Sequence, residues 1–165
     1  MFKRPPIIID VFEIPKEFKE TYWTIFKKHH YLGDNLNRAA KCWVGYLWGN
    51  PVVFNSVLAM PSGSLKNAWR EHRLVVLSDY QGMGIGNRMS ECVGKMLLAE
   101  NKRFFSKTAN IKLGEYRNQQ DMWRPTSKNG KARLDNLGRE KNYNNMIKES
   151  LSRRVCYSHE YMGDI

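Results

Sequence analysis

Hydrophobic and polar positions along the chain alternate in recognisable periods. Ile7-Ile8-Ile9, with Val11 and Phe12 and a stop at Pro15, predicts a first strand. From 16 to 29, Phe18, Tyr22, Ile25 and Phe26 stand three and four apart among Lys and Glu, an apolar stripe on a helix that Gly33-Asp34-Asn35 interrupts. Lys41 to Trp48 is rich in aromatic and β-branched residues and predicts a strand. Gly49-Asn50-Pro51 is a turn signal, and Val52 to Met60 predicts the second arm of a hairpin. Arg73 to Leu77 forms another apolar strand. It runs through Ser78-Asp79-Tyr80 into the glycine-rich Gln81-Gly82-Met83-Gly84-Ile85-Gly86, and Met89, Val93, Met96 and Leu97 then recur as on a helix face. Arg103-Phe104-Phe105 begins a further strand. Residues 112 to 150 are basic and loop-rich, with a helix expected from 135 to 151, and Arg154 to Met162 alternates as a closing strand. The order predicts an α/β (α+β) fold with a mixed sheet. No internal repeat or Gly/Ser linker divides it, so one domain over 1–165 is expected.

Composition narrows the classes. A hydrophobic fraction of 42% with 12% aromatics excludes a disordered chain. No apolar run approaches the roughly 18 residues of a membrane span, so no membrane partner is expected. The apolar stretch after the basic start is too short for a signal peptide, which makes a cytoplasmic location the expectation. Cys42, Cys92 and Cys156 are odd in number and scattered, which suits buried thiols rather than a disulfide framework. The 27 Lys and Arg against 16 Asp and Glu leave a net charge of +11, which favours a polyanionic partner.

The chemistry concentrates at the glycine loop. A strand that ends in glycines and passes at once into a helix aims several backbone N–H groups, and the positive end of the helix dipole, at one point. That geometry suits a phosphate or pyrophosphate. Gly84 and Gly86 let backbone approach the anion, and Arg88 offers a charge. A Walker loop requires Gly-Lys-Ser/Thr, which Gly86-Asn87-Arg88 lacks. A dinucleotide loop requires GxGxxG near the first strand, and here the spacing and the mid-chain position are wrong. The remaining pattern, Gln/Arg-x-x-Gly-x-Gly/Ala, is matched at every specified position by residues 81 to 86.

On those residues the stretch from 73 to 98 resembles the central motif of the GNAT superfamily of acyl-CoA N-acyltransferases. The resemblance implies a mostly antiparallel sheet flanked by helices and use of acetyl-CoA or another acyl-CoA. It places the pyrophosphate on Gln81, Gly82, Met83, Gly84, Ile85, Gly86 and Asn87, and the pantetheine arm and acyl carbonyl along Val75, Val76 and Leu77. A small-molecule or protein amine is then the general acceptor class.

A narrower set of residues is His29-His30-Tyr31-Leu32, Ser106-Lys107-Thr108-Ala109-Asn110, Tyr116-Arg117 and Trp123-Arg124-Pro125-Thr126. This set resembles phage Mom-type enzymes of the same superfamily, which alter the exocyclic amine of adenine in DNA. The chain departs from that pattern at Gln81, where many relatives carry Arg, and at Asn110, where His-Pro is expected. The resemblance implies a DNA partner, and the host cytoplasm as location if the chain is phage-encoded.

Acyl transfer to an amine needs a polarised carbonyl and a proton acceptor, and His30, Tyr31, Ser106, Tyr116 and Asp121 are the candidates. Each also has an ordinary use: His30 at a helix end, Tyr31 as a packed ring, Ser106 in a strand ladder, Tyr116 at the surface of a polar loop, Asp121 as a cap. Residues 103 to 154 hold thirteen Lys and Arg against five acids. Arg117, Trp123, Arg124, Lys128, Lys131 and Arg133 are the expected contacts to a flipped base and its flanking phosphates. A charge run of this kind also suits a solvated face, and a non-catalytic basic module that keeps the fold and holds nucleic acid is the further alternative. No HExxH or other close ligand spacing occurs, so no metal is expected.

Overall fold

A computed structural model describes residues 6–30, 35–60, 64–132 and 155–164. The chain folds as two compact units, Met1–Phe104 and Phe105–Ile165.

In the first unit β1 (Asp10–Glu13), β2 (Lys41–Leu47), β3 (Asn50–Ala59) and β4 (Ala68–Val76) pair antiparallel in that order. Between β1 and β2 runs α1 (Lys19–Phe26), with a 3-10 turn on either side, Lys16–Phe18 and Lys27–His29. After β4 comes a 3-10 turn over Ser78–Tyr80 and then α2 (Ile85–Ala99). Trp23 and Phe26 of α1 lay their rings against Phe54 of β3, with centroids 5.3 and 5.6 Å apart. Cys42, Val44 and Val75 close the same cluster, so this face of the sheet is the α1 face. Each of these large side chains contributes about 1.5–3 kcal/mol by leaving water. Ile85, Met89, Val93 and Leu97 form the buried stripe of α2.

Three details differ from the sequence reading. β1 starts at Asp10, and Ile7 and Ile8 precede it as exposed residues. The hairpin turns one residue earlier than expected, at Trp48 and Gly49, with φ of 50° and 78°. Two successive left-handed residues match the twist of the flanking strands, so Asn50 and Pro51 are free to begin β3. β4 begins at Ala68, five residues before the expected Arg73, because a bulge breaks its alternation.

β5 (Arg103–Thr108) leads into the second unit, which holds α3 (Ile111–Asn118), β6 (Trp123–Pro125), β7 (Lys131–Ala132) and β8 (Val155–Tyr161). β8 follows β5 in the strand order and pairs antiparallel with both β6 and β7. The segment read as loop-rich therefore contains most of a helix and two short strands. α3 was not anticipated because the residues it buries are Gly114 and Arg117 rather than an apolar stripe. The helix expected over 135 to 151 lies outside the described residues. Cys42 and Cys156 are buried free thiols, whereas Cys92 is only partly buried. Burial pushes the Cys42 thiol up to about 12. Among the described residues no helix is long and apolar enough to cross a membrane.

Candidate active site

The exit of β4 builds the loop. The N–H of Leu77 still donates to the Val52 carbonyl at 3.0 Å, so the β3–β4 pairing extends one residue past the strand. The chain then turns through Ser78–Tyr80, and Gln81 folds back to donate from Nε2 to the Val76 carbonyl at 2.9 Å. Gln81 thus braces the turn. Gly82 and Gly84 follow with φ of 81° and 78°, the left-handed region that glycine enters without a steric penalty. Nothing lies within 4 Å of where a Cβ would stand at either position, so the loop presents an open cradle. Gly86 is different. A Cβ there would meet Val76 Cγ2 at 3.3 Å, a close approach of helix to strand that an alanine methyl could nearly satisfy.

Gly84 is the N-cap of α2, and its carbonyl accepts the first helical bond, from Arg88 N–H, at 3.2 Å. No side chain caps the helix, so the first-turn amides point into the cradle with the positive end of the dipole. Arg88 pairs with the buried Glu91 at 3.0 Å, which compensates its charge. Within the first turn, Asn87 Oδ1 is buried without a hydrogen-bond partner. Val75 turns its side chain into the core, and Val76 and Leu77 are partly buried.

Upstream on β4, Ser56 pairs with Arg73 and Val57 with Glu71, which leaves His72 as the extra residue of a bulge. Below the bulge, Glu71 Oε1 accepts from Ser90 of α2 at 2.7 Å and from Asn55 at 3.0 Å, so Glu71 serves the α2 face. His72 lies on the opposite face, where burial and the charges of Arg73, Arg70 and His30 push its imidazole down to about 4. Its Nε2 is buried with no partner. Sequence patterning missed His72, and the signal for it was the broken alternation across Arg70-Glu71-His72-Arg73. His30 ends the turn after α1, its ring 5.9 Å from that of Trp23. His29 Nδ1 meets Ser78 Oγ at 3.1 Å, which ties that turn to the exit of β4.

The remaining expected residues fall in the second unit or outside the described residues. Ser106 is buried on β5, and its Oγ accepts a hydrogen bond from Arg117 Nη1. Arg117 is fully buried, with its guanidinium 4.3 Å from the centre of the Trp123 ring, and Trp123 is buried as well. This corrects the expectation that Arg117 and Trp123 face a nucleic acid: both are interior, stacked on each other. Arg124 pairs with Glu160 at 2.5 Å, while Lys128 and Lys131 are exposed. Tyr116 is partly buried on α3 and Asp121 is exposed between α3 and β6. Tyr31 and Arg133 lie outside the described residues. Among the described residues no three His, Cys, Asp or Glu side chains gather as a metal site would need.

His159 completes the buried polar group. Its Nε2 donates to Asn118 Oδ1 at 2.8 Å, an oxygen that also accepts from Asn129 at 3.0 Å. Burial and Arg117 push His159 down to about 4. The unfolded chain binds this proton at about 6.5 and the folded chain only near 4, so stability is full above 6.5 and is lost as pH falls between the two. Acidification from pH 7 to 4 is expected to remove on the order of 2–3 kcal/mol through this group. Thermal melts of the wild type and of His159→Gln across that range check it. The variant should lose part of the slope, and identical slopes would contradict the assignment.

No protein-family model matches the chain, and no curated protein matches it. Solved structures do. An IAA acetyltransferase from Bacillus cereus superposes with a TM-score of 0.62 at 13% identity, over 93% of this chain and 99% of that one. An acetyltransferase from Bacillus subtilis in complex with CoA gives 0.61 at 11%, over 94% and 98%. A GNAT family acetyltransferase from Elizabethkingia anophelis with acetyl-CoA bound gives 0.58 at 15%, over 93% and 97%. The chain has the GNAT acyltransferase fold, an α/β architecture with a mixed, mostly antiparallel sheet and flanking helices.

Proposed function

We propose that the chain is an acyl-CoA-dependent N-acyltransferase. The observation that carries this reading is the β4–loop–α2 unit, with open space at Gly82 and Gly84 and an uncapped helix N-terminus beside them. That cradle suits the negative charge of a pyrophosphate. The likeness in fold to proteins solved with CoA and acetyl-CoA supports it. Acyl-CoA supplies a thioester: the amine nitrogen forms the new C–N bond, the C–S bond breaks, and the thiol of CoA leaves with a proton.

The chain's residues have separate tasks. The amides of Gly84, Ile85, Gly86 and Asn87 hold the diphosphate, and Gln81 keeps the turn closed. Val75, Val76 and Leu77 lie next along β4 and guide the arm. His72, largely neutral at pH 7 because burial and the neighbouring Arg73, Arg70 and His30 disfavour its second proton, accepts the proton of the amine. His72→Gln is expected to lower kcat about 100-fold with acetyl-CoA affinity unchanged, read as thiol release in the presence of an acceptor. An unchanged kcat would exclude His72 from the proton transfer.

The net charge of +11, with Lys128 and Lys131 exposed, favours a DNA amine as a second reading of the acceptor, as in the Mom-type enzymes. Digestion of duplex DNA after incubation with acetyl-CoA, followed by nucleoside mass analysis, tests it. A shifted adenosine supports this reading, and unshifted DNA alongside turnover of a free amine removes it.

A further inference from the structure

The bulge in β4 decides which charges share the α1 face. Val75 belongs to the core under α1, while Leu74 and Val76 approach Gly86 of α2. Alternation back from Val75 puts Arg73 on the α1 face. An unbroken strand would then put His72 on the α2 face, and Glu71 on the α1 face beside Arg73. The extra residue at His72 reverses this. Glu71 goes to α2, where Ser90 and Asn55 occupy its carboxylate. Arg70, His72 and Arg73 all come to the α1 face. The sole acid of the strand is thereby turned away from its three basic residues.

Two further observations point to a ligand on that face. His72 Nε2 is buried without a partner, and so is the hydroxyl of Ser56, whose register partner is Arg73. Buried polar atoms rarely stay unsatisfied, so two on neighbouring strands beside the bulge mark a place where a polar molecule completes the bonding. The groups that act on His72 are Arg73, Arg70 and His30, two of them guanidinium cations, and all three disfavour its protonation. An alkylammonium acceptor would be repelled there, and an anionic group would be attracted.

From this we infer that the acceptor of the proposed acyl transfer carries an anionic group, a phosphate or carboxylate, close to its amine. The inference rests on the acyltransferase reading for the reaction but not for the binding. Arg70 holds the anion while the amine lies beside His72, and Arg73, whose Nη1 and Nη2 donate to the His72 and Asn35 carbonyls at 3.1 Å each, adds its charge. A free aminoalkyl phosphate and the amines of a nucleic acid share this chemistry.

The test uses the full chain with three probes: aminoethyl phosphate, putrescine and a short DNA duplex. The first readout needs no acetyl-CoA. It is the His72 imidazole resonance, identified by its loss in His72→Gln. Aminoethyl phosphate or the duplex should shift it, and putrescine should not. A shift with aminoethyl phosphate points to a free anionic amine, and a shift with the duplex alone points to nucleic acid. The second readout is thiol release from acetyl-CoA. The anionic probe that shifts His72 should exceed putrescine at least tenfold in kcat/KM, and Arg70→Glu should remove that preference while acetyl-CoA affinity stays the same. A preference for putrescine, or a resonance that no anionic probe moves, overturns the inference. A His72 shift in a protein that fails to bind acetyl-CoA would instead overturn the acyltransferase reading and leave the anion site standing.

Discussion

The Gly84→Asp variant is expected to lose acetyl-CoA affinity by about 100-fold or more and to keep its fold. Two effects oppose each other at this position. Aspartate is among the L residues that tolerate the left-handed conformation, so with φ at 78° and no atom within 4 Å of its Cβ the structural cost is about 1 kcal/mol. Its carboxylate, however, stands over the mouth of the cradle. Two like charges about 4 Å apart near a protein surface repel by on the order of 4 kcal/mol. The electrostatic effect wins, and it acts on the ligand rather than on the protein. Gly84→Asn separates the two contributions, because it has the same shape without the charge and should keep most of the affinity. Calorimetric titration of both variants, with a melt to confirm folding, checks the expectation. Equal affinity in Gly84→Asp and wild type would move the phosphates off this loop.

Gly114→Ala is expected to destabilise the second unit by about 2 kcal/mol, although helix propensity alone argues for a gain of roughly 1 kcal/mol. Gly114 sits inside α3 with the Tyr157 ring directly upon it. An added Cβ would fall 2.0, 2.3 and 2.5 Å from three ring atoms of Tyr157, distances that packed carbons do not reach. Tyr157 lies on β8, so the ring cannot yield without disturbing the contact between helix and strand. Overpacking therefore outweighs propensity. A chain of this size should melt about 4–8 °C lower. Pairing Gly114→Ala with Tyr157→Leu should restore part of the loss, and a melting point at or above wild type for the single variant would contradict the packing.

The same residues explain what was legible in the sequence. α1, α2 and the hairpin bury ordinary apolar stripes, and their periods are plain. α3 buries a glycine under a tyrosine and an arginine beside a tryptophan, so no hydrophobic period marks it. Its readable signal was the cap, since Asn110 Oδ1 accepts from the Leu113 N–H at 3.1 Å. The aromatic and basic residues of that stretch suggested a nucleic-acid surface because charge normally seeks water. Arg117 and Trp123 instead stack on each other inside, and Arg117 donates to Ser106. β4 was half seen: the expected strand began at Arg73, because the bulge at His72 breaks the alternation across Arg70-Glu71-His72-Arg73 and sorts its charges by face. The glycine loop was the clearest feature, because its conformation depends on backbone freedom that only glycine supplies.

Titration of acetyl-CoA into the full-length wild-type protein by isothermal calorimetry tests the central claim most directly. Saturable binding of one acetyl-CoA per chain is expected, with a dissociation constant between about 1 μM and 1 mM and displacement by CoA. An absence of binding at millimolar acetyl-CoA, in protein that melts cooperatively, would contradict the assignment of the β4–loop–α2 unit as an acyl-CoA site.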